Sequence, residues 1–330
     1  LAQLMGEQEG RRTAMTLVRG LDTDMTVRQS LMLHDVARGR ATLPDFLDRF
    51  GHRCVNEMEL AEPRWRQDPS YPQMMVEQFA AERTFDPSQV HDANVTERNK
   101  VEKGLPGLLR HWGGTTFGES IRHNIHLAQT LLPYRETGKH YLMMGYELIR
   151  LCLEELGRRW DLQWDIYFLK MSELEAFSHD SDSLRESIRN RKLRHKAVQR
   201  LDAPDVIESG TLETLGLIRE CDMLSEYESV PISPGAATGV ARIVRNPNEK
   251  RDVGRDCILV CPSTDPGWTP LLMQAAALVV ERGGVLSHGA IVARDFGIPA
   301  VVCANATRLL QDGQKIRVDG NTGTIGILER

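Results

Sequence analysis

The sequence predicts a multidomain chain of class α + α/β, with a mostly helical part over 1–225 followed by a compact α/β part over 226–330. Two observations predict it. Through the first part, Leu, Met, Glu, Arg and Gln dominate, and apolar positions recur three and four residues apart, the period of an amphipathic helix. From Val230 onward the texture changes to short β-branched runs set between Gly, Pro and Asn, with helical segments between some of them. A length of 330 residues is enough for two or three domains with sizeable cores.

The elements follow in order. "TLPDFLDRFGHR" (42–53) reads as a helix, and Pro-containing loops are expected near 63–72 and 84–88. "HYLMMGYELIRLCLEELGRRW" (140–160) is the clearest helix, with Met143, Tyr146, Leu148, Leu151, Leu153 and Leu156 as its expected apolar face. "SLRESIRNRKLRHKAVQRL" (183–201) reads as a further helix, whose basic run 189–196 is expected to be a solvated face. A linker is expected near 222–230. The runs "GVARIVRN", "CILVCP", "AALVVERGG" and "PAVVCAN" read as strands, and "KIRVDGNTGTIGIL" reads as a hairpin turning at Asp319–Thr322.

Composition excludes several classes of function. A formal charge of −5 gives no general case for nucleic acid or an anionic membrane as partner. No run of 18 apolar residues and no signal peptide is present. The chain begins at Leu1 rather than Met, which suggests truncation or processing upstream. Six scattered cysteines without a CxxC pair argue against zinc and for a reducing, cytoplasmic compartment. His123 and His126 lie three apart, but no third ligand accompanies them, so no metal is expected.

The stretch "ERGGVLSHGAIVARDFGIPAVV" (281–302) carries the chemistry. Ser287 is a good N-cap, Gly297 suits a left-handed position after the last turn, and Pro299 prevents continuation. His288 therefore opens a helix of about two turns, where free backbone N–H groups favour an anion attached to the ring. Gly283, Gly284 and Gly289 should leave that ring approachable, at an exposed helix start. These features suit a histidine that carries a phosphoryl group, although a capping or core histidine would fit the same residues.

Gly283, Gly284, Ser287, His288, Gly289, Ala290, Ala293, Arg294, Gly297, Ile298, Pro299, Ala300 and Val301 together resemble the motif of the phosphohistidine swivelling domain. That domain is shared by phosphoenolpyruvate synthase, pyruvate phosphate dikinase and rifampin phosphotransferase. "SPGAATGVARIV" (233–244), "STDPGWTPLL" (263–272) and the closing hairpin resemble its other segments, so the likeness covers 230–330 almost throughout. It implies a β/β/α fold with His288 as the phosphorylated residue, supported by Ser287, Gly289, Arg294, Gly284 and Thr264.

The helical part resembles the acceptor-binding region of the rifampin phosphotransferase group more thinly. "FLDRFGHRCVNEMELAEPRWRQDP" (46–69) is similar to that group's Gly-x-Arg…Glu-x-Asp…Pro-Arg-Trp segment, with Asn56, Met58 and Leu60 departing from it. "YRETGKHY" (134–141) resembles its Arg-Glu-x-x-Lys helix, and the later Asp165–Leu169 segment has its aromatic order inverted. Arg135 and Lys139, four apart, would place two cations on one helix face, where a transferring phosphoryl needs its oxygens neutralised. Glu136 could orient a cation or accept the acceptor's proton. Met143, Met144, Trp164 and His126 are candidates for an apolar acceptor pocket, against the alternative that the Met and aromatic residues are simply core.

No Gly-rich nucleotide loop and no ATP-grasp-like segment is evident, and no barrel follows the last hairpin. The resemblance therefore implies a phosphotransferase in which an ATP-grasp domain or subunit, using ATP and Mg²⁺, phosphorylates His288. The group then passes to a small apolar hydroxylated acceptor, with no cofactor bound by this chain itself. A phosphoenolpyruvate synthase-like carrier, with its pyruvate site elsewhere, is one alternative; a non-catalytic phosphocarrier or regulatory fragment is another.

Overall fold

The computed structural model of the chain describes residues 1–21, 23–81, 86–111, 118–199, 209–210, 225–247, 253–285 and 287–329. The expected linker lies partly outside them, at 222–224, as does the end of the helix expected over 183–201. Two compact units are present: Leu1–Met58, Glu62–Met144 and Met223–Arg330 form the first, and Glu59–Ala61 with Gly145–Asp222 the second. The first unit takes residues from both sides of the change in sequence texture at 225/226.

In the first unit, helices α1 (Ala2–Met5), α2 (Glu7–Leu17), α3 (Met25–Ala37), α4 (Leu43–Phe50), α5 (Ser70–Ala81) and α6 (Pro87–His111) come first. Several starts have a local cause. Asp24 caps α3 by accepting from the Thr26 and Val27 N–H groups, and Thr42 and Asp45 make a reciprocal capping box on α4. The loop expected around 63–72 ends earlier, at the start of α5, while that expected around 84–88 lies partly outside the described residues, at 84–85. Pro72 lies in the first turn of α5 and Pro87 opens α6, positions where a missing N–H costs nothing.

Helix α7 runs over Gly118–Arg159. Its buried positions include Pro133, Glu136, His140, Met143, Arg150, Leu153 and Gly157. Of the apolar face expected for this helix, Met143 and Leu153 are buried, whereas Leu148 is 63% and Leu151 50% exposed. The stripe that turns inward is partly built from Glu136, His140 and Arg150, which hydropathy alone assigns to solvent.

The sheet carries β1 (Glu226–Glu228), β2 (Val230–Ser233), β3 (Ala236–Ile243), β4 (Cys257–Cys261), β5 (Ala277–Val280), β6 (Ala300–Val302), β7 (Lys315–Asp319) and β8 (Thr324–Glu329). Their order is β1-β8-β7-β3-β4-β5-β6-β2, parallel from β3 to β6 and antiparallel toward both edges. Helices α10 (Thr269–Gln274), α11 (His288–Asp295) and α12 (Ala306–Leu309) interleave with the strands. The expected hairpin is present between β7 and β8.

Strand β4, the run "CILVC", is buried at every position because both faces of the sheet are covered. Cys257, Leu259 and Cys261 join a core with Phe46, Phe50, Met75, Phe79, Leu272 and Val292, while Ile258 and Val260 join a second one with Val279, Ala306 and Ile316. The first of these cores is shared by helices of the early sequence and strands of the late sequence, which holds α11 against α3.

The second unit has its own small core of Leu153, Leu162, Ile166, Phe177 and Ile188, built from α7, the 3-10 turn Gln163–Phe168, the residue just after α8 (Met171–Ala176) and α9 (Ser181–Val198). The basic run of α9 is not simply a solvated face. Arg191 donates to Glu173 at 2.6 and 2.7 Å, and Lys192 pairs with Asp165 at 2.6 Å, because these carboxylates come from neighbouring elements.

Phe50 is fully buried in the shared core, with ring centroids 5.4 Å from Phe46 and 5.6 Å from His140. Phe50→Ala should destabilise the first unit by about 3–5 kcal/mol. A shift of the urea unfolding midpoint at constant slope checks this.

Candidate functional site

Helix α11 forms as its caps dictate. Ser287 Oγ accepts from the Ala290 N–H at 3.3 Å, and Gly297 takes φ +66° just beyond the C-cap. His288 is the first residue of the helix, but the expected exposed start is corrected: His288 is only 5% exposed. Its burial comes from two sides. Its Nε2 shares a hydrogen bond of 2.9 Å with the Thr269 hydroxyl from the start of α10. Its Nδ1 faces the Glu136 carboxylate of α7 at 3.8 Å and has no hydrogen-bond partner among the described residues. Gly289 is needed behind the ring, since a Cβ there would run into the Thr264 hydroxyl and Leu278.

Glu136 is 1% exposed, and Thr26 in the first turn of α3 donates its hydroxyl to Oε2 at 2.9 Å. Burial would raise the pKa of this carboxyl, yet the imidazole of His288, the Thr26 hydroxyl and the Arg53 guanidinium together pull it well below the usual range. Glu136 therefore stays ionised inside the protein, directed at His288.

Behind it lies a second charged group. Arg53 is fully buried, and its Nε and Nη2 donate to Glu57 at 2.5 and 3.2 Å. Lys139, three residues beyond Glu136 on α7, pairs with the same Glu57 at 2.8 Å. Burial pushes Glu57 upward, but the two cations more than offset this and hold it below its ordinary value. His52 and His140 stand edge to face beside this group, with ring centroids 4.4 Å apart. Burial and the neighbouring cations push His52 down to about 3 and His140 down to about 4, so both rings are neutral at ordinary pH.

Three further carboxyls lie nearby, Asp24 and Asp295 buried and Asp265 half-buried. Asp265 accepts from the Asn56 and Gly267 N–H groups at 3.1 and 2.8 Å, and burial raises its pKa. Asp295, the last residue of α11, accepts from the Gly20 N–H at 3.1 Å. Burial and mutual repulsion push Asp24 up to about 8, and burial pushes Asp295 up to about 6.

The candidates read from the sequence thus separate. His288, Ser287, Gly289, Thr264, Glu136 and Lys139 belong to the buried region around α11 and α7. Arg294 is buried too, donating to the carbonyls of Ile232 and Val285 that hold the loop before α11. Arg135 is different: its side chain is 54% exposed and its Nε lies 4.0 Å from Glu136. Gly284 sits in open space. Met143 is fully buried and so fills core, while Met144, about 100° further round the helix, is 41% exposed. His126 is exposed, and Trp164, 50% exposed, belongs to the second unit. A cavity of about 600 Å³ lies between α2 and the start of α7, lined by residues such as Leu17, Val18, Ile121 and Ile125, with none of these candidates in its wall. Among the described residues no three His, Cys, Asp or Glu side chains cluster as metal ligands, and no helix is long and apolar enough to cross a membrane.

Sequence reasoning did not single out Arg53, Glu57 or Thr26 as site residues, although Arg53 and Glu57 stand on the Gly-x-Arg…Glu pattern of the resemblance. The first two stand in the Gly-His-Arg…Glu segment (51–57), where an arginine and a glutamate four apart on the way out of a helix were the available signal.

Comparison with known proteins finds similarity in both parts of the chain. Residues 253–323 match the PEP-utilising enzyme mobile domain, and residues 39–136 match the rifampicin phosphotransferase fourth domain. The chain is 33% identical over 305 residues to a rifampicin phosphotransferase of Bacillus cereus, covering 88% of the chain and 34% of the relative. It is 30% identical over 321 residues to one from Streptomyces sviceus, covering 94% and 37%. It is also 28% identical over 344 residues to the prodigiosin synthesizing transferase PigC of Serratia marcescens, covering 97% and 36%. The chain thus spans about a third of the length of these relatives.

The raised carboxyl of Asp24 has a consequence for stability. An aspartate that titrates near 4 when unfolded and near 8 when folded stabilises fully below about pH 4, and the contribution fades as pH rises through 8. Asp24→Asn, which keeps a capping oxygen, should therefore gain on the parent in melting temperature between pH 5 and 8.5. Paired thermal melts across that range check it; a constant difference would contradict it.

Proposed function

We propose, from the premise that the chain belongs to the PEP-utilising phosphotransferases and carries their mobile domain, that His288 receives the β-phosphoryl group of ATP and passes it to a hydroxyl of an apolar organic acceptor held by the helical part. ATP and Mg²⁺ are handled by an ATP-grasp module outside these 330 residues. The observation that carries the reading is the burial of His288 between Thr269 of its own α/β part and the Glu136 carboxylate of α7, which Thr26 of α3 holds by a hydrogen bond. The arrangement fits a histidine docked at the second of its two stations.

Transfer at this station breaks the N–P bond of phosphohistidine as the acceptor oxygen forms its bond to phosphorus. The hydroxyl proton moves to Glu136 and on to the ring, so that the imidazole leaves neutral. In a loose transition state the proton moves late, so an ionised carboxylate of low basicity is adequate, and its larger service is to orient the hydroxyl and the ring. The phosphoryl oxygens need fixed positive charge, which Lys139 supplies from the same face of α7. Ser287 and the free N–H groups at the start of α11 favour the negative charge on His288 itself.

Measuring the two half-reactions separately tests this, with [β-³²P]ATP, the ATP-grasp module and an apolar phenol or macrocyclic alcohol as acceptor. His288→Ala should abolish both. Glu136→Gln and Lys139→Ala should each slow transfer to the acceptor by about 10²–10³, while labelling of His288 stays near the parent's rate. Arg135→Ala, at a side chain half exposed, should cost less than about tenfold. Labelling of a residue other than His288, or equal loss of both half-reactions in Glu136→Gln and Lys139→Ala, would overturn the reading.

A further inference from the structure

Arg53 is an unusual residue to find at zero exposure. A buried guanidinium normally has all its N–H groups matched, since each unmet donor forfeits its hydration. Here Nε and Nη2 are satisfied by Glu57, but Nη1 has no partner among the described residues. It is not alone. His52 Nε2 and His140 Nδ1, from rings in contact with each other and within electrostatic reach of Arg53, are likewise buried and unpartnered among the described residues. Arg53 Nη1 is a donor in every protonation state, and each neutral ring can turn an N–H toward the same space in one of its tautomers, so an absent oxygen-rich ligand would satisfy this group.

The position says which ligand. Arg53 acts electrostatically on Glu136, whose carboxylate faces His288. Lys139 and Arg53 converge on a single carboxylate, Glu57, which is itself 2% exposed. Two cations on one internal anion is the arrangement expected of a site whose proper occupant carries two or more negative oxygens. We propose that Arg53 and Lys139 form a buried oxyanion site for the phosphoryl group, held ready by Glu57 as an internal counter-anion that the phosphoryl displaces. The inference rests on His288 as phosphoryl carrier. It adds Arg53 as a positioning residue for the phosphoryl, and it makes Glu57 a competitor rather than a helper of phosphate binding.

That competition gives a test in which a purely structural role predicts the opposite sign. Inorganic phosphate is titrated into the full chain by calorimetry, with ³¹P line broadening as a second readout. Glu57→Gln should bind phosphate at least about tenfold more tightly than the parent, because both cations lose their internal partner. Adding Arg53→Met to Glu57→Gln removes a buried charge pair together, so the fold should tolerate it better than either loss alone; the gain should disappear. Should Glu57→Gln fail to fold by circular dichroism, the decision passes to Arg53→Lys and Lys139→Met, each of which should weaken phosphate binding several-fold. Phosphate affinity unchanged or weaker in folded Glu57→Gln, or unchanged in Arg53→Lys, overturns the site. The two readings fail separately. Tighter phosphate binding with no label ever reaching His288 from ATP would sink the phosphotransfer reading alone, and labelled His288 with unchanged phosphate affinity would sink this one alone.

Discussion

A carboxylate at 1% exposure must be met by positive or donating groups, or it will not remain charged, and the contacts that keep Glu136 ionised are the same ones that define the site. Thr26 binds it from α3, Arg53 stabilises it from the loop after α4, and His288 faces it from α11. Each contributor comes from a different part of the chain. The local reasons for three helix starts, at Asp24, Thr42 and Ser287, therefore matter chiefly because they aim these side chains at one point.

Around that point the adhesion is apolar and the direction is polar. The shared core of Phe46, Phe50, Leu259, Leu278 and Val292 presses α11 toward the early helices without fixing its orientation. Orientation comes from a few hydrogen bonds with defined geometry, such as Gly20 N–H to Asp295 and Asn56 N–H to Asp265. Burial pushes two of the carboxyls in this layer up, Asp24 to about 8 and Asp295 to about 6, so the layer is sensitive to the charges it traps. A carrier histidine that must leave this station has to break a contact of this mixed kind rather than a salt bridge on the surface.

Much of this was legible in the sequence and some was not, for identifiable reasons. Helix α11 was readable to the residue, because a serine cap, a glycine with φ +66° and a following proline are local signals. Strand β4 and the β7–β8 hairpin were readable because burial on both faces and tight turns leave compositional marks. The depth of His288 was not, since glycines beside it suggested access, while it is covered by Thr269 of the helix before and by Glu136 some 150 residues away. Helix α7 misled for a related reason: its inward stripe is built on Glu136, His140 and Arg150, and a hydropathy pattern places such residues outside. Arg53 and Glu57 were not singled out as site residues because what distinguishes them is complete burial with incomplete hydrogen bonding, a property of the assembled site.

The claim on which the rest depends is that Glu136 holds the His288 helix in place from across the fold. Hydrogen exchange followed by mass spectrometry, comparing the parent chain with Glu136→Ala, addresses it directly. The account predicts faster exchange in the peptide spanning His288–Asp295 and in the first turn of α3 around Thr26, with the β4 and β5 peptides unchanged. Equal protection of α11 in both proteins would contradict it, and would leave the 3.8 Å approach of the two side chains as proximity without coupling.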